Sequence, residues 1–305
     1  MSRERSRGIV SIFIIVTVLF FVFLFFAFFS ISQIKDIGSV EGVLESSSAP
    51  IAVIPIDGTI MESKKYVEML LAAEKSKTVK AIILRIDSPG GAVAPTQEIY
   101  EEVRRIDQIK PVYASFANVA ASGGYYIGAA ARKIYANAGT ITGSIGVIMQ
   151  TADLSQIYEF LKYRTETIKA GRYKDIGNPA RPMTDEERDF LQKMVGGTHA
   201  QFIDDIVAVR KDRLKKDINE LAQGQIFHGN EAKETGLIDE IAGLWEAGRR
   251  IHKELELPGE YSLRFMKPAR KKFDFSEFLE ESGALFKTVR SMLETNAGPA
   301  YLYRP

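Results

Sequence analysis

The chain has 305 residues, enough for one large core or two modest ones. Its 40 basic and 39 acidic residues leave a formal charge of +1, so no excess of positive charge draws it toward nucleic acid. The absence of cysteine excludes disulfides and thiolate chemistry. The three histidines, His199, His228 and His252, form no H-E-x-x-H pattern, and neither a metal nor another cofactor is expected.

Ile9 to Phe29 carries no charge, and at ~1.5 Å per residue it spans a ~30 Å hydrocarbon core. The run ends in Phe25, Phe26, Ala27, Phe28 and Phe29, bulky rings where a signal cleavage site needs small residues, so it is expected to stay as a single transmembrane helix. Arg3, Arg5 and Arg7 precede it and predict a cytoplasmic N-terminus with the remainder outside the cell membrane. The expected organisation is a cytoplasmic stub and anchor over 1–32, a Gly/Ser/Glu-rich stalk over 33–50, a main α/β domain over 51–255, and a C-terminal extension over 256–305. Phe275, Phe278, Leu279, Leu285 and Phe286 give that extension an amphipathic helical stretch, whose role the sequence leaves open.

Within the main domain, Ile51 to Ile56 predicts a strand closed by Asp57-Gly58, and Val67 to Ala73 lies in a helical segment. Val79 to Ile86 predicts a buried strand ending in Asp87-Ser88-Pro89-Gly90-Gly91. Residues 95–108 fit a helix with Pro95 in its first turn and Ile99, Val103 and Ile106 on one stripe. Val112 to Phe116 and Lys133 to Ala136 predict two more strands flanking a small-residue helix within 120–131. This alternation argues for a mostly parallel sheet with crossover helices. Thr184 and Glu187 form a capping box for a helix reaching about Lys211, with Phe190, Met194 and Val195 expected inward. Gln225 to Phe227 is extended, Glu231 to Thr235 is a short helix, and Gly243 to His252 is another.

Two glycine-rich junctions follow predicted strands, where parallel α/β sheets place their ligands. One is the Asp87 to Gly91 run and the other is Ala121-Ser122-Gly123-Gly124-Tyr125-Tyr126. Ser122 is placed either as a nucleophile or as a simple helix cap, with Gly91 and Gly123 as candidate N–H donors to an oxyanion. It does not sit in G-x-S-x-G, and no phosphate-binding loop is present. No histidine is obviously paired with it. A lysine can act as the base if burial favours its neutral form. Lys174, in a glycine-flanked loop beside Tyr173 and Ile176, is the lysine that stands out.

Taken together, Asp87 to Gly91, Ala121 to Tyr126, Thr142 to Gly146, Gly171 to Asp175, Gln225 to Ala232 and Gly236 to Asp239 resemble the S49 serine peptidase family, of the short signal peptide peptidase A type. The likeness runs from about Pro50 to His252. It implies a crotonase/Clp-protease-like fold, Ser122 as nucleophile, Lys174 as general base, Ser144 as the residue orienting the lysine, and an oxyanion hole at Gly91 and Gly123. It also implies a membrane-anchored endopeptidase acting on released signal peptides and other unfolded or apolar peptides, in a homo-oligomer enclosing its active sites, where the lysine can come from a neighbouring subunit. Val93, Tyr126 and Met149 are candidate substrate-binding walls. The alternatives are a crotonase-like enzyme acting on an acyl thioester and an inactive membrane scaffold of the same fold.

Overall fold

The computed structural model describes residues 49–267 together with Phe20 and Val22. The rest of the expected anchor, most of the stalk, and residues 268–305 with their amphipathic stretch lie outside the described residues. Among the described residues no helix is long and apolar enough to cross a membrane.

The described strands are β1 (Ile51–Asp57), β2 (Ala81–Ser88), β3 (Val112–Ala121), β4 (Lys133–Ala136), β5 (Ile141–Gly143), β6 (Ile226–His228), β7 (Glu240–Ile241) and β8 (Leu263–Phe265). The helices are α1 (Lys64–Lys75), α2 (Val93–Asp107), α3 (Gly123–Ala129), α4 (Ser155–Phe160), α5 (Asp185–Arg210), α6 (Ile218–Leu221), α7 (Gly229–Thr235) and α8 (Leu244–Glu254). One mixed sheet runs β6-β5-β3-β2-β1-β8, with β4 against β3 and β7 against β4. Every pairing is parallel except that of β5 with β6. The strand β8, from beyond residue 255, joins the sheet beside β1.

Strand side chains alternate between faces. Ala52, Ile54 and Ile56, with Ile82, Leu84 and Ile86, pack on one face with Met69 and Leu70 of α1 and Ile99, Val103 and Ile106 of α2. Ile51, Val53, Ala81 and Ile83 pack on the other with Ala247 and Ile251 of α8. Because both faces are covered, the central strands read as nearly continuous apolar runs, as parallel sheets require. Each isoleucine, leucine, valine or methionine among them contributes about 1.5–3 kcal/mol of transfer free energy.

The expected capping box forms: Glu187 N–H donates to Thr184 Oγ1 at 3.2 Å, and Thr184 N–H donates to Glu187 Oε2 at 3.0 Å. The inward face of α5 is not the expected one. Phe190 and Met194 are 46% and 45% exposed, and Val195 is only half-buried, whereas Phe202 and Ile206 enter the core. Only the C-terminal half of α5 packs on the domain. The helix is fixed at its end by Arg210, fully buried, which donates to both carboxylate oxygens of Asp239 at 3.1 Å and to Gly236 O at 3.0 Å.

Between β5 and that packed half, the chain makes an excursion in which no residue from Gly146 to Glu186 is buried. Ion pairs hold this arm to the start of α5. Arg181 bridges Asp175 at 3.0 Å and Glu187 at 2.6 Å, Arg172 reaches Glu186 at 2.9 Å, and Tyr173 stacks on Phe190 at 4.9 Å.

Candidate active site

The long strand β3 divides the sheet. Its first half pairs with β4 through Tyr113 to Phe116, and its last three residues pair with β5. On its other side the register with β2 slips between Ile86 and Ser88, where the Asp87 carboxylate accepts the Val119 N–H at 3.0 Å. The end of β3 is therefore clamped on both sides just before Ser122.

Ser122 is the corner between β3 and α3, with φ 53° and ψ −121°. A non-glycine residue held there costs about 1–3 kcal/mol, which the surroundings must offset. Its N–H donates to Gly143 O at 2.8 Å and its carbonyl accepts from Tyr126 N–H at 2.9 Å. The side chain makes no capping hydrogen bond, so the helix-cap reading of this serine has no support. What remains is a strained serine on a sharp strand-to-helix turn. That is the geometry of a nucleophile elbow, reached here without its G-x-S-x-G signature.

Two backbones converge on this corner. A Cβ added to Gly123 would lie 3.3 Å from Gly91 N, and one added to Gly90 would lie 2.8 Å from Gly123 N and 2.9 Å from Ser122 Cβ. Gly91 is pinned by a parallel bridge to Ile60, in which Ile60 N–H donates to Gly90 O at 2.9 Å and Ala92 N–H donates to Ile60 O at 2.8 Å. That pattern uses the neighbours' groups and leaves the Gly91 N–H out of the bridge. Gly123 opens α3, and the first N–H groups of a helix have no partner within it. Ser122 thus stands between two N–H groups available to an anion.

A pocket of about 130 Å³, open to solvent, lies beside Ser122. Gly91, Gly123, Val93 and Tyr126 line it, as expected for a site built on these junctions. Met149 does not line it. Val147 and Ile148 take that place. Thr96 and Gln97 of α2, with Thr198 and Phe202 of α5, complete the wall and were not foreseen. Phe190, Met194, Thr198, Phe202 and Ile206 form one i, i+4 row, which carried a signal for the last pair; the row drifts ~40° around the axis at each step, so its N-terminal members do not face where Phe202 and Ile206 face.

Ser144 is one residue beyond the carbonyl that holds Ser122. It has φ 50° and its N–H donates to Gln225 O at 2.8 Å. Lys174 is not brought to this cluster within the chain: it is exposed on the arm and does not line the pocket. Asp175, next to it, accepts hydrogen bonds from Arg181 and Lys169. The Arg181 bond first, then the Lys169 bond, hold its carboxyl down to about 2. Among the described residues no cluster of His, Asp and Glu could hold a metal ion.

A parallel-sheet end that presents a strained serine between two free N–H groups defines a site suited to acyl transfer. The sequence pattern of peptidase family S49 matches residues 104–258. A Synechocystis sp. chain named only provisionally as a protease, slr0021, is 39% identical over 197 residues, covering 64% of this chain and 71% of that one. The chloroplastic serine protease SPPA of Arabidopsis thaliana is 31% identical over 269 residues, covering 87% of this chain and 39% of its own length. Protease 4 of Haemophilus influenzae is 31% identical over 218 residues, with 67% and 35% covered. The chain belongs to peptidase family S49. It spans well under half the length of the last two relatives.

Proposed function

We propose that this chain is a serine endopeptidase working through a Ser-Lys dyad on a crotonase/Clp-protease-like scaffold. Ser122 Oγ attacks a peptide carbonyl while the uncharged amine of Lys174 takes its proton. The oxyanion that forms accepts from Gly91 and Gly123 N–H. The C–N bond breaks, the lysine returns the proton to the departing amine, and an acyl ester remains on Ser122. Water, deprotonated by the same lysine, attacks that ester and frees the carboxylate and the serine. Ser144 orients the lysine amine. The observation that carries the reading is the Ser122 corner itself, strained and making no cap bond, with both glycine N–H groups beside it.

In this reading Lys174 reaches the serine of a neighbouring subunit. Its exposure on an arm with no buried residue, and the apolar Ile148, Phe160 and Ile168 exposed along that arm, support assembly into a homo-oligomer. The substrates are unfolded or apolar peptides, released signal peptides among them, laid along the pocket lined by Val93 and Tyr126. The N-terminal apolar segment anchors the assembly in the cell membrane with the catalytic domain outside. Mixing Ser122→Ala with Lys174→Ala chains before assembly is the test. Each variant alone is expected to lose hydrolysis of an unfolded protein, and the mixture to regain part of it. Full activity in either variant alone would end the dyad proposal.

A further inference from the structure

Among the described residues the pocket beside Ser122 has no ionisable wall except a tyrosine, yet a carboxylate stands directly behind that tyrosine. Tyr126 lines the pocket, and its hydroxyl donates to Asp205 Oδ2 in a short hydrogen bond. Asp205 itself does not line the pocket. Among the described residues no lysine, arginine or histidine forms an ion pair with this carboxylate, and Tyr126 is the side chain that hydrogen-bonds to it. The screen is rigid. The Tyr126 ring packs against both Tyr100 and Phe202, each at a centroid distance of 4.7 Å, and Tyr100 donates its own hydroxyl to Asp205 O at 2.9 Å. Burial, and then the Asp205 carboxylate, push the Tyr126 hydroxyl well above its usual range, so it stays a donor at any working pH.

We propose that Tyr126 is the residue that sets the charge preference of this subsite: it plugs the pocket and keeps Asp205 out of it, so that the side chain entering beside Ser122 must be uncharged. This rests on the peptidase reading and deepens it. With the plug in place the entering group meets Val93, Val147, Ile148 and Phe202, with hydroxyls and an amide at Thr96, Thr198 and Gln97. A basic side chain would lose its hydration there without gaining a counter-charge. With the plug removed, Asp205 becomes the base of a deeper pocket and supplies that counter-charge, so the enzyme would turn toward lysine or arginine.

The test uses the full chain in membranes or detergent and two peptides that differ only in leucine or lysine before the cleaved bond. Wild type is expected to cleave the leucine peptide at least about tenfold better in kcat/KM. Tyr126→Ala should shift that ratio toward lysine by about tenfold or more, and Tyr126→Ala with Asp205→Asn should return the preference to leucine. Tyr126→Phe, which keeps the ring as a screen, should still prefer leucine. If Tyr126→Ala fails to assemble, Tyr126→Leu fills the space against Tyr100 and Phe202 less completely and tests the same uncovering. An unchanged ratio in the opened variants, or a lysine shift that survives Asp205→Asn, would overturn the proposal. Absence of any Ser122-dependent cleavage by wild type would instead sink the peptidase reading, and this proposal with it.

Discussion

Replacing Gly123 with alanine should silence the enzyme while leaving its fold nearly intact. The added methyl would lie 2.9 Å from Thr96 Oγ1, 3.3 Å from Thr96 Cγ2 and 3.3 Å from Gly91 N. The first contact is closer than real carbon atoms accept, so either Thr96 turns or the first turn of α3 retreats by a few tenths of an ångström. In both cases the methyl stands against one N–H of the oxyanion site. Loss of one such donor costs about 10²–10³ in kcat, or about 2.7–4 kcal/mol. Alanine is the better helix former by about 1 kcal/mol, which works against the clash in overall stability. The assay is steady-state hydrolysis of a fluorogenic peptide with a urea denaturation curve beside it. A fall in kcat with little change in the urea midpoint is the expected result. Thr96→Ala in the same chain separates the causes, because it removes the 2.9 Å contact and leaves the methyl beside Gly91. If that second change restored the wild-type rate, or if Gly123→Ala alone kept kcat within about threefold, the assignment of these two N–H groups would be wrong.

Three other outcomes follow from the packing. Asp239→Asn leaves the fully buried Arg210 guanidinium without its counter-charge, and should cost about 3–5 kcal/mol by urea denaturation; a cost under about 1 kcal/mol would mean the pair is dispensable. Gly196 and Gly197 lie in the middle of α5, exposed and with nothing within 4 Å of an added Cβ, so alanine at either should raise stability by about 0.5–1 kcal/mol. A loss of stability there would show that the helix needs their freedom. Arg181 holds Glu187 and Asp175 each down to about 2, from ordinary values of 4.5 and 3.8. Depressed carboxyls stabilise fully above their unfolded values, so the arm should keep its order at neutral pH and lose it as pH falls from about 4.5 toward 2. Hydrogen exchange over residues 169–190 measures this, and Arg181→Gln should weaken the pH dependence in that window, leaving the part that Lys169 and Thr184 sustain; an unchanged profile would refute it.

The strands and helices of the sheet were legible because apolar runs and 3.6-residue stripes are local facts. Ile99, Val103 and Ile106 each lie at 0% exposure on the stripe read from sequence. The capping box of Thr184 and Glu187 was legible for the same reason. The direction of α5 was not, because Phe190, Met194, Thr198, Phe202 and Ile206 form one i, i+4 row that drifts ~40° per step, so its two ends face different ways. Which end of that row meets the domain depends on the arm ion pairs and the Arg210 anchor, neither of which has a sequence period. The elbow at Ser122 was half legible. Its place between strand and helix could be read, but its positive φ arises from the clamp of β2 and β5 on the end of β3, contacts that span 22 to 32 residues of chain. Met149 was misplaced as a pocket wall because its orientation depends on where the chain leaves β5. Asp205 was invisible as a neighbour of the site, since only the fold brings it behind Tyr126.

The central claim, that Ser122 forms the acyl-enzyme, is tested most directly by mass spectrometry after exposure to a fluorophosphonate probe. One adduct per chain, mapped to the peptide containing Ser122 and lost together with hydrolysis in Ser122→Ala, is the result this account requires. Undiminished hydrolysis in Ser122→Ala, or an adduct on a different serine, would contradict it.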